Sequence, residues 1–280
     1  YWGSYQMCQK IDTGKTNLLS DIDDKGYLND DGSINKNFEF VCEVDASAND
    51  DDYHFNSSSG NKITIKTPEL APGDKGYDEV KNYVKNKFDS FYNAIKNSTE
   101  NLADYADVDS VTKIYLINEL GKNWDSGVSS LYFTYKQDEN GNWKFYGSPV
   151  WDYDNSLGNA KGVEWDLGNI GVNDYEQYSG WWCKYKDKGK NSSSTNNVMN
   201  LISRNKNVIK VAPQVWFEDF VPALKTFMSS GVSEGEIYSS DVYYNYLKGS
   251  AEMNYKSGWL LNTGSWIADH SKLNVATFDY

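Results

Sequence analysis

The stretch DVDSVTKIYLINELGKNWDS, from Asp107 to Ser126, carries a helical pattern that gives way to a polar loop. Asp107 suits a helix N-cap, because its short carboxylate can accept a hydrogen bond from the first turn. Apolar residues then recur at steps of three and four, which predicts an amphipathic helix. Gly121 is predicted to be the C-cap, because glycine favours the left-handed conformation found just after a helix.

Polar residues lie on this predicted helix and in the loop that follows it. Asn118 and Glu119 share one helix face with Tyr115, since residues three and four apart lie above one another. Glu119 also has a simpler interpretation, as the partner of a nearby lysine. The helix is therefore expected to deliver Asn123 and Asp125 into a single polar loop.

A β-hairpin is predicted directly after this loop. The segments LYFTYK (131–136) and NWKFYG (142–147) alternate around Asn140-Gly141, a dipeptide typical of tight hairpin turns. Pro149 is expected to end the second strand, because proline cannot donate to a strand ladder. The hairpin thus carries the chain out and back to the next acidic segment.

That segment is PVWDYDNSLGNA, residues 149–160, in which Asp152 and Asp154 lie two residues apart and Asn155 follows. In an extended chain, side chains two residues apart point to the same side. The carboxylates of Asp152 and Asp154 are therefore predicted to converge with Asp125. Oxygen ligands without His or Cys suit Mg²⁺, Mn²⁺ or Ca²⁺ rather than zinc. These carboxylates have three other interpretations: solvation in an acidic loop, a helix cap at Asp152, or the paired carboxylates of a glycosidase.

The flanking sequence predicts an α+β fold, with strands before residue 72 and mainly helices from residue 73 to residue 280. Pro222 is expected to interrupt or kink one of these helices. The further predicted elements are strands at 1–11, 38–46 and 62–70, and helices at 77–97, 198–204, 215–228 and 241–259. These elements are interpreted as one domain over residues 1–280, with the hairpin near 130–150.

Composition excludes several classes of partner. The chain has 280 residues and a net charge of −13 without a stripe of Lys and Arg, which argues against nucleic acid. No run of about 18 apolar residues is present, so no membrane span is predicted. The cysteines Cys8, Cys42 and Cys183 lack zinc spacing and are interpreted as core or free thiols, and both histidines, His54 and His270, as surface residues.

One ordered set of residues between 107 and 160 resembles the signature region of the CotH family, the atypical kinases similar to spore coat protein H. Weaker resemblances are YWGSY at 1–5, IKTPEL at 65–70 and SAEMNY at 250–255. The matching signature residues are Asp109-Ser110, Tyr115, Asn118-Glu119-Leu120, Asn123, Asp125, Gly147, Pro149, Trp151-Asp152, Asp154 and Gly158.

The resemblance implies a protein-kinase-like fold, mainly the larger helical lobe with part of a smaller β-rich lobe. It implies that ATP and Mg²⁺ or Mn²⁺, with Ca²⁺ as an alternative, serve to phosphorylate Ser of protein substrates. In this interpretation Asp125 acts on the acceptor hydroxyl, and Asp152 and Asp154 bind the metal. The supporting residues would be Asn118, Glu119, Asn123 and Asn155.

The family has strands upstream of YWGSY, so the domain is expected to be incomplete at its N-terminus. The resemblance also implies a secreted, cell-surface or spore-associated bacterial protein, with links to cell-surface and cellulosomal assemblies. The alternative is a non-catalytic carbohydrate- or protein-binding module on a degenerate kinase scaffold. Its support is the content of 10 Trp and 22 Tyr, together with Gln9 where the family usually has Glu.

Overall fold

The computed structural model describes most of the chain between residues 21 and 153 and again from 197 to 256. The strand predicted at 1–11 lies almost wholly outside the described residues, as do Cys8 and His270. Described residues up to 213 belong to one compact unit, and those from 214 onward belong to a second. The described residues are 11, 13, 19, 21–49, 52–98, 100–123, 125, 127–153, 156, 183, 197–229, 231, 233–234 and 237–256.

The first unit contains a five-stranded antiparallel sheet, whose spatial order is His54–Asn56 (β2), Lys62–Thr67 (β3), Phe40–Val44 (β1), Leu131–Gln137 (β4) and Trp143–Gly147 (β5). The predicted hairpin is present as β4 and β5, and Gly141 in its turn has a φ of 77°. The strands predicted at 38–46 and 62–70 are also present but shorter.

Helices accompany this sheet, so the predicted α+β class is confirmed. The second helix begins as predicted, because the Asp107 carboxylate accepts a hydrogen bond of 2.7 Å from the Ser110 amide. The helices of this unit are Tyr77–Lys96 (α1), Val108–Gly121 (α2) and Val198–Arg204 (α3), with a short 3₁₀ turn at Leu102–Asp104, and the helix Lys206–Val215 (α4) begins in it.

The predicted C-cap of α2 was wrong by one residue. Gly121 is still helical, and the left-handed residue is Lys122, with a φ of 50°. The amide of Asn123 closes back onto the Asn118 carbonyl at 3.1 Å, which is the hydrogen bond of a Schellman motif. Lys122 also pairs with Glu119, 3.6 Å from Nζ to Oε1, as the simpler interpretation of Glu119 predicted.

Aromatic side chains fill the core between the sheet and α1. Phe91 of α1 stacks on Phe145 of β5, with ring centroids 4.5 Å apart, and Phe88 meets Phe133 edge-on at 6.4 Å. Offset and edge-on aromatic pairs stabilise a core beyond the area they bury. Cys42, on the same sheet, is a buried thiol, as its interpretation as a core residue predicted.

The sheet and α2 meet at Gly147, the last residue of β5. A Cβ at this position would lie 2.5 Å from Ile114 Cγ2 and 2.8 Å from the Ser110 carbonyl oxygen. The Gly147 amide donates to Ser110 Oγ at 3.2 Å. Only glycine permits this approach, so α2 and the end of β5 are held together just before the acidic segment.

The described residues of the second unit are mainly helical. A π-helical turn at Trp216–Phe220 directly precedes a helix at Val221–Phe227 (α5), so the predicted interruption near Pro222 is confirmed. Two short strands, Ser233–Glu234 (β6) and Ile237–Tyr238 (β7), form an antiparallel pair before the helix Ser240–Lys256 (α6). Among the helices described, none is long and apolar enough to cross a bilayer.

Candidate functional site

A lysine–glutamate ion pair bridges two central strands of the sheet. Lys66 Nζ of β3 lies 3.0 Å from Glu43 Oε2 of β1, and the Glu43 side chain is only 8% exposed. Lys66 is the extra residue of a β-bulge, because Val41 pairs with Thr67 while Cys42 pairs with Ile65. Bulges redirect side chains and are common beside active sites. The bulge therefore places a cation next to a nearly buried carboxylate.

Ser130, the residue before β4, connects this ion pair to Asp152. Its amide donates to Glu43 Oε1 at 3.1 Å, and its hydroxyl donates to Asp152 Oδ2 at 3.1 Å. Both Ser130 and Asp152 have left-handed backbones, with φ of 54° and 57°. A continuous chain of contacts thus runs from Lys66 through Glu43 and Ser130 to the carboxylate of Asp152, which is exposed to solvent.

Tyr132 packs against the same charges from β4, where it lies opposite Glu43. Burial raises the pKa of the Tyr132 phenol well above its ordinary value, and the carboxylates of Glu43, Asp45 and Asp152 raise it further. The phenol is therefore a neutral group beside the Glu43 carboxylate.

Asn123 links the loop that carries Asp125 to the segment that carries Asp152. Its side-chain oxygen accepts a hydrogen bond from the Asp125 amide at 3.1 Å, and its side-chain nitrogen donates to the Asp152 carbonyl at 3.4 Å. Asn123 is 3% exposed, so this bridge lies inside the protein. The structure thus joins the backbones of the two predicted aspartates through one buried amide side chain.

Gly127 fixes the other side of the Asp125 loop. With a φ of 71°, it approaches α3 so closely that a Cβ would lie 2.3 Å from Asn197 Oδ1 and 2.9 Å from Met199 Cβ. Asn197 is itself the N-cap of α3, because its side chain accepts from the Asn200 amide at 3.0 Å. The loop is therefore seated directly on the start of a helix.

Asn118 and Glu119 lie behind the site. The Asn118 side chain donates to the Ile114 carbonyl one turn earlier, at 2.8 Å. Glu119 Oε2 accepts a hydrogen bond from the Cys183 amide at 2.9 Å, and the Asn200 side chain donates to the Cys183 carbonyl at 3.1 Å. Asn118 therefore bonds within α2, and Glu119 connects α2 to Cys183.

The sequence profile of the CotH kinase protein family matches residues 1–204, which is more than half of the chain. The chain belongs to the CotH kinase protein family. No curated protein and no solved structure matched it. The matched range contains the sheet, α1 to α3 and the residues from Lys66 to Asp152 described above, so the resemblance seen at residues 107–160 is confirmed at family level, together with a kinase-like fold.

The acidic residues of this CotH kinase protein do not form a closed metal cage in the part of the chain that is described. No group of three or more His, Cys, Asp or Glu residues is placed to hold an ion there. Asp152 is the exposed carboxylate at the end of the contact chain. Asp154 and Asn155, the other predicted members of this segment, lie outside the described residues.

Four residues of the site were missed by the sequence analysis: Glu43, Lys66, Ser130 and Tyr132. Glu43 and Lys66 did leave a signal, because each is a charged residue that follows a run of apolar or β-branched residues in its strand, FVCEV and KITIKT. Such residues are seldom fully buried unless paired. Ser130 left none, since its importance lies in a backbone angle and in two distant partners.

Proposed function

We propose that this chain is an atypical protein kinase that transfers the γ-phosphoryl group of ATP to Ser of protein substrates with Mg²⁺ or Mn²⁺. The observation that carries the proposal is the chain of contacts from Lys66 through Glu43 and Ser130 to Asp152, with Asp125 tied in through Asn123. Phosphoryl transfer needs positioned cations and charge neutralisation more than covalent chemistry by the protein. Membership of the CotH kinase protein family supports the same reaction.

In this proposal Lys66 contacts the phosphates of the nucleotide. The Glu43 carboxylate holds the ammonium group by the 3.0 Å ion pair, and the backbone of Ser130 holds Glu43 in turn. A protein with a net charge of −13 repels a polyphosphate unless local cations offset that charge. Lys66 and a metal ion beside Asp152 would supply those cations.

The donor set at Asp152 fits Mg²⁺ or Mn²⁺ better than Ca²⁺. Protein-bound Mg²⁺ typically takes one or two carboxylates, with phosphate oxygens and waters completing the octahedron. Asp152 can supply one such carboxylate, and Asp154 is proposed as the second. Ca²⁺ takes six to eight oxygens, more than the two carboxylates proposed here supply. The metal would neutralise the charge of the transferred phosphoryl group.

Asp125 is proposed as the residue that accepts the proton of the substrate hydroxyl. Its amide is held by Asn123 at 3.1 Å, and its carbonyl accepts from the amides of Val128 and Ser129 at 2.8 and 3.1 Å. These bonds fix the backbone that carries the Asp125 carboxylate. The serine oxygen would attack the γ-phosphorus as its proton passes to Asp125, and ADP would leave.

A secreted, cell-surface or spore-associated setting, with cellulosomal or other surface proteins as substrates, is part of this proposal.

A second candidate, a non-catalytic binding module for carbohydrate or protein, draws support from the described residues from 214 onward. Aromatic side chains suit sugar and protein surfaces because they combine a flat apolar face with low conformational freedom. Several are solvent-exposed there, namely Phe217 (69%), Phe227 (41%), Tyr243 (44%) and Tyr246 (85%). The two candidates differ in whether the chain binds nucleotide.

Titration calorimetry with Mg-ATP on the wild-type chain and on Asp152→Asn separates them. Asparagine keeps the shape and tolerates the left-handed backbone of Asp152, so the variant removes the charge without adding strain. We expect wild-type binding to require metal and the variant to bind at least about tenfold more weakly, as for loss of a charge-assisted contact. Glu139→Gln, at the exposed hairpin turn, is the control for net charge.

Equal metal-dependent binding by the wild-type and Asp152→Asn chains would contradict the site. Absence of any Mg-ATP binding by the wild-type chain would favour the binding-module candidate. Transfer itself is tested by mass spectrometry of a serine-containing protein mixture incubated with the chain, Mn²⁺ and ATP. An Asp125→Asn variant should lose phosphoserine formation while keeping nucleotide affinity.

A further inference from the structure

We propose that Ser130 is a positioning residue that sets the orientation of the Asp152 carboxylate and of Glu43 for metal–nucleotide binding. This inference rests on the proposed function. Ser130 is the one described residue whose hydrogen bonds reach both carboxylates, through its amide to Glu43 and its hydroxyl to Asp152, each at 3.1 Å. Ser130 therefore contacts both the lysine-holding and the metal-holding side of the site, and the loss of its hydroxyl acts directly on Asp152.

The backbone of Ser130 supports a role for its side chain. At a φ of 54° a glycine would be free of steric cost, whereas serine is disfavoured. A residue held in a sparsely populated conformation by well-formed contacts is characteristic of functional sites. Serine supplies the hydroxyl that donates to Asp152 Oδ2, and glycine lacks it.

Ser130 also lies where the Asp125 loop enters the sheet. Its neighbour Ser129 donates an amide hydrogen bond to the Asp125 carbonyl at 3.1 Å, and Val128 accepts one from the Ala46 amide at 3.0 Å. The next residue, Leu131, is already paired with β1. The position of Ser130 is thus fixed on both sides, so its hydroxyl is a rigid donor.

A rigid donor on Oδ2 fixes the rotation of the Asp152 side chain and leaves its other oxygen directed elsewhere. Outer hydrogen bonds of this kind orient metal ligands, and their loss commonly costs about 10- to 100-fold in metal affinity. Ser130 would act in this way without touching the metal. Its effect should therefore appear in the affinity for metal–nucleotide and not in the stability of the fold.

The test compares Ser130→Gly with the wild-type chain in two measurements, thermal unfolding without ligand and calorimetry with Mg-ATP. Glycine relieves the strained backbone, so the variant should melt at or above the wild-type temperature. Its affinity for Mg-ATP should nevertheless fall about tenfold, because the hydroxyl is gone. A purely structural serine would move both measurements in the same direction.

Ser129→Ala is the matched control, since it removes a neighbouring hydroxyl that faces Asp45 at 3.5 Å instead of Asp152. Unchanged affinity in Ser130→Gly, with normal binding by the wild-type chain, would overturn the inference and leave the proposed function standing. An equal loss in Ser129→Ala would also overturn it. Failure of the wild-type chain to bind Mg-ATP would overturn the proposed function, and this inference with it.

Discussion

The contact between Gly127 and the first turn of α3 allows a quantitative prediction for Gly127→Ala. The new Cβ would lie 2.3 Å from Asn197 Oδ1 and 2.9 Å from Met199 Cβ, far inside van der Waals contact. The cap must therefore shift, because neither the loop nor the helix has space for the methyl group. The φ of 71° adds a separate cost, since alanine disfavours the left-handed region.

The two costs can be worked out in turn. Placing a non-glycine residue in the left-handed region costs about 1–2 kcal/mol. Displacing Asn197 from the Asn200 amide removes an N-cap, which costs about 1 kcal/mol. Gly127→Ala is therefore expected to lower the free energy of unfolding by about 2–3 kcal/mol. Asn197→Ala alone should lose only the cap, about 1 kcal/mol.

Urea unfolding of both single variants and the double variant tests this account. In the double variant the cap is lost only once, so its total cost should be about 1 kcal/mol smaller than the sum of the single costs. Strict additivity would show that the methyl group does not act through Asn197. A cost below about 0.5 kcal/mol for Gly127→Ala, the size of an ordinary surface change, would refute the close approach itself.

Two further predictions concern local structure outside the site. Asp107→Ala should lower the free energy of unfolding by about 1 kcal/mol in urea, because the Ser110 amide loses its cap, and an unchanged midpoint would contradict this. The pKa of Asp138 is held below its ordinary value, first by a hydrogen bond from the Asn142 side chain. The ionised Asp138 carboxylate therefore stabilises the fold above the pKa it has in the unfolded chain, and this contribution is lost as the pH falls through its pKa in the folded protein. Asn142→Ala should raise that pKa in an NMR titration, and an unshifted carboxyl would contradict the assignment.

Local patterns were enough to predict the elements that frame the site. Asn140-Gly141 predicted the hairpin, and the Asp107 cap predicted the start of α2, because these are short-range preferences of a few residues. The helix cap at its other end was misplaced, since the left-handed residue is Lys122 and not Gly121. Lysine has no intrinsic preference for that angle, and only the closure by Asn123 and the pairing with Glu119 account for it.

The site itself was only partly accessible to sequence reasoning. The path of helix, loop and hairpin led to Asp125 and Asp152, which the structure connects through Asn123. Glu119, by contrast, was grouped with them through its motif, yet its carboxylate holds the Cys183 amide. Spacing indicates which residues share a face, but it does not reveal which distant partner a carboxylate meets.

The bulge at Lys66 makes this strand sensitive to insertion and deletion. Deleting Lys66, the one residue between Ile65 and Thr67, would restore a regular ladder with β1. The shortened strand would still pair with the sheet. The same deletion would remove the cation that pairs with Glu43. A homologue one residue shorter here is thus expected to keep the fold and lose the ion pair. When CotH sequences are aligned, the position of a single gap in this strand would then separate chains that retain the lysine from chains that keep only its scaffold.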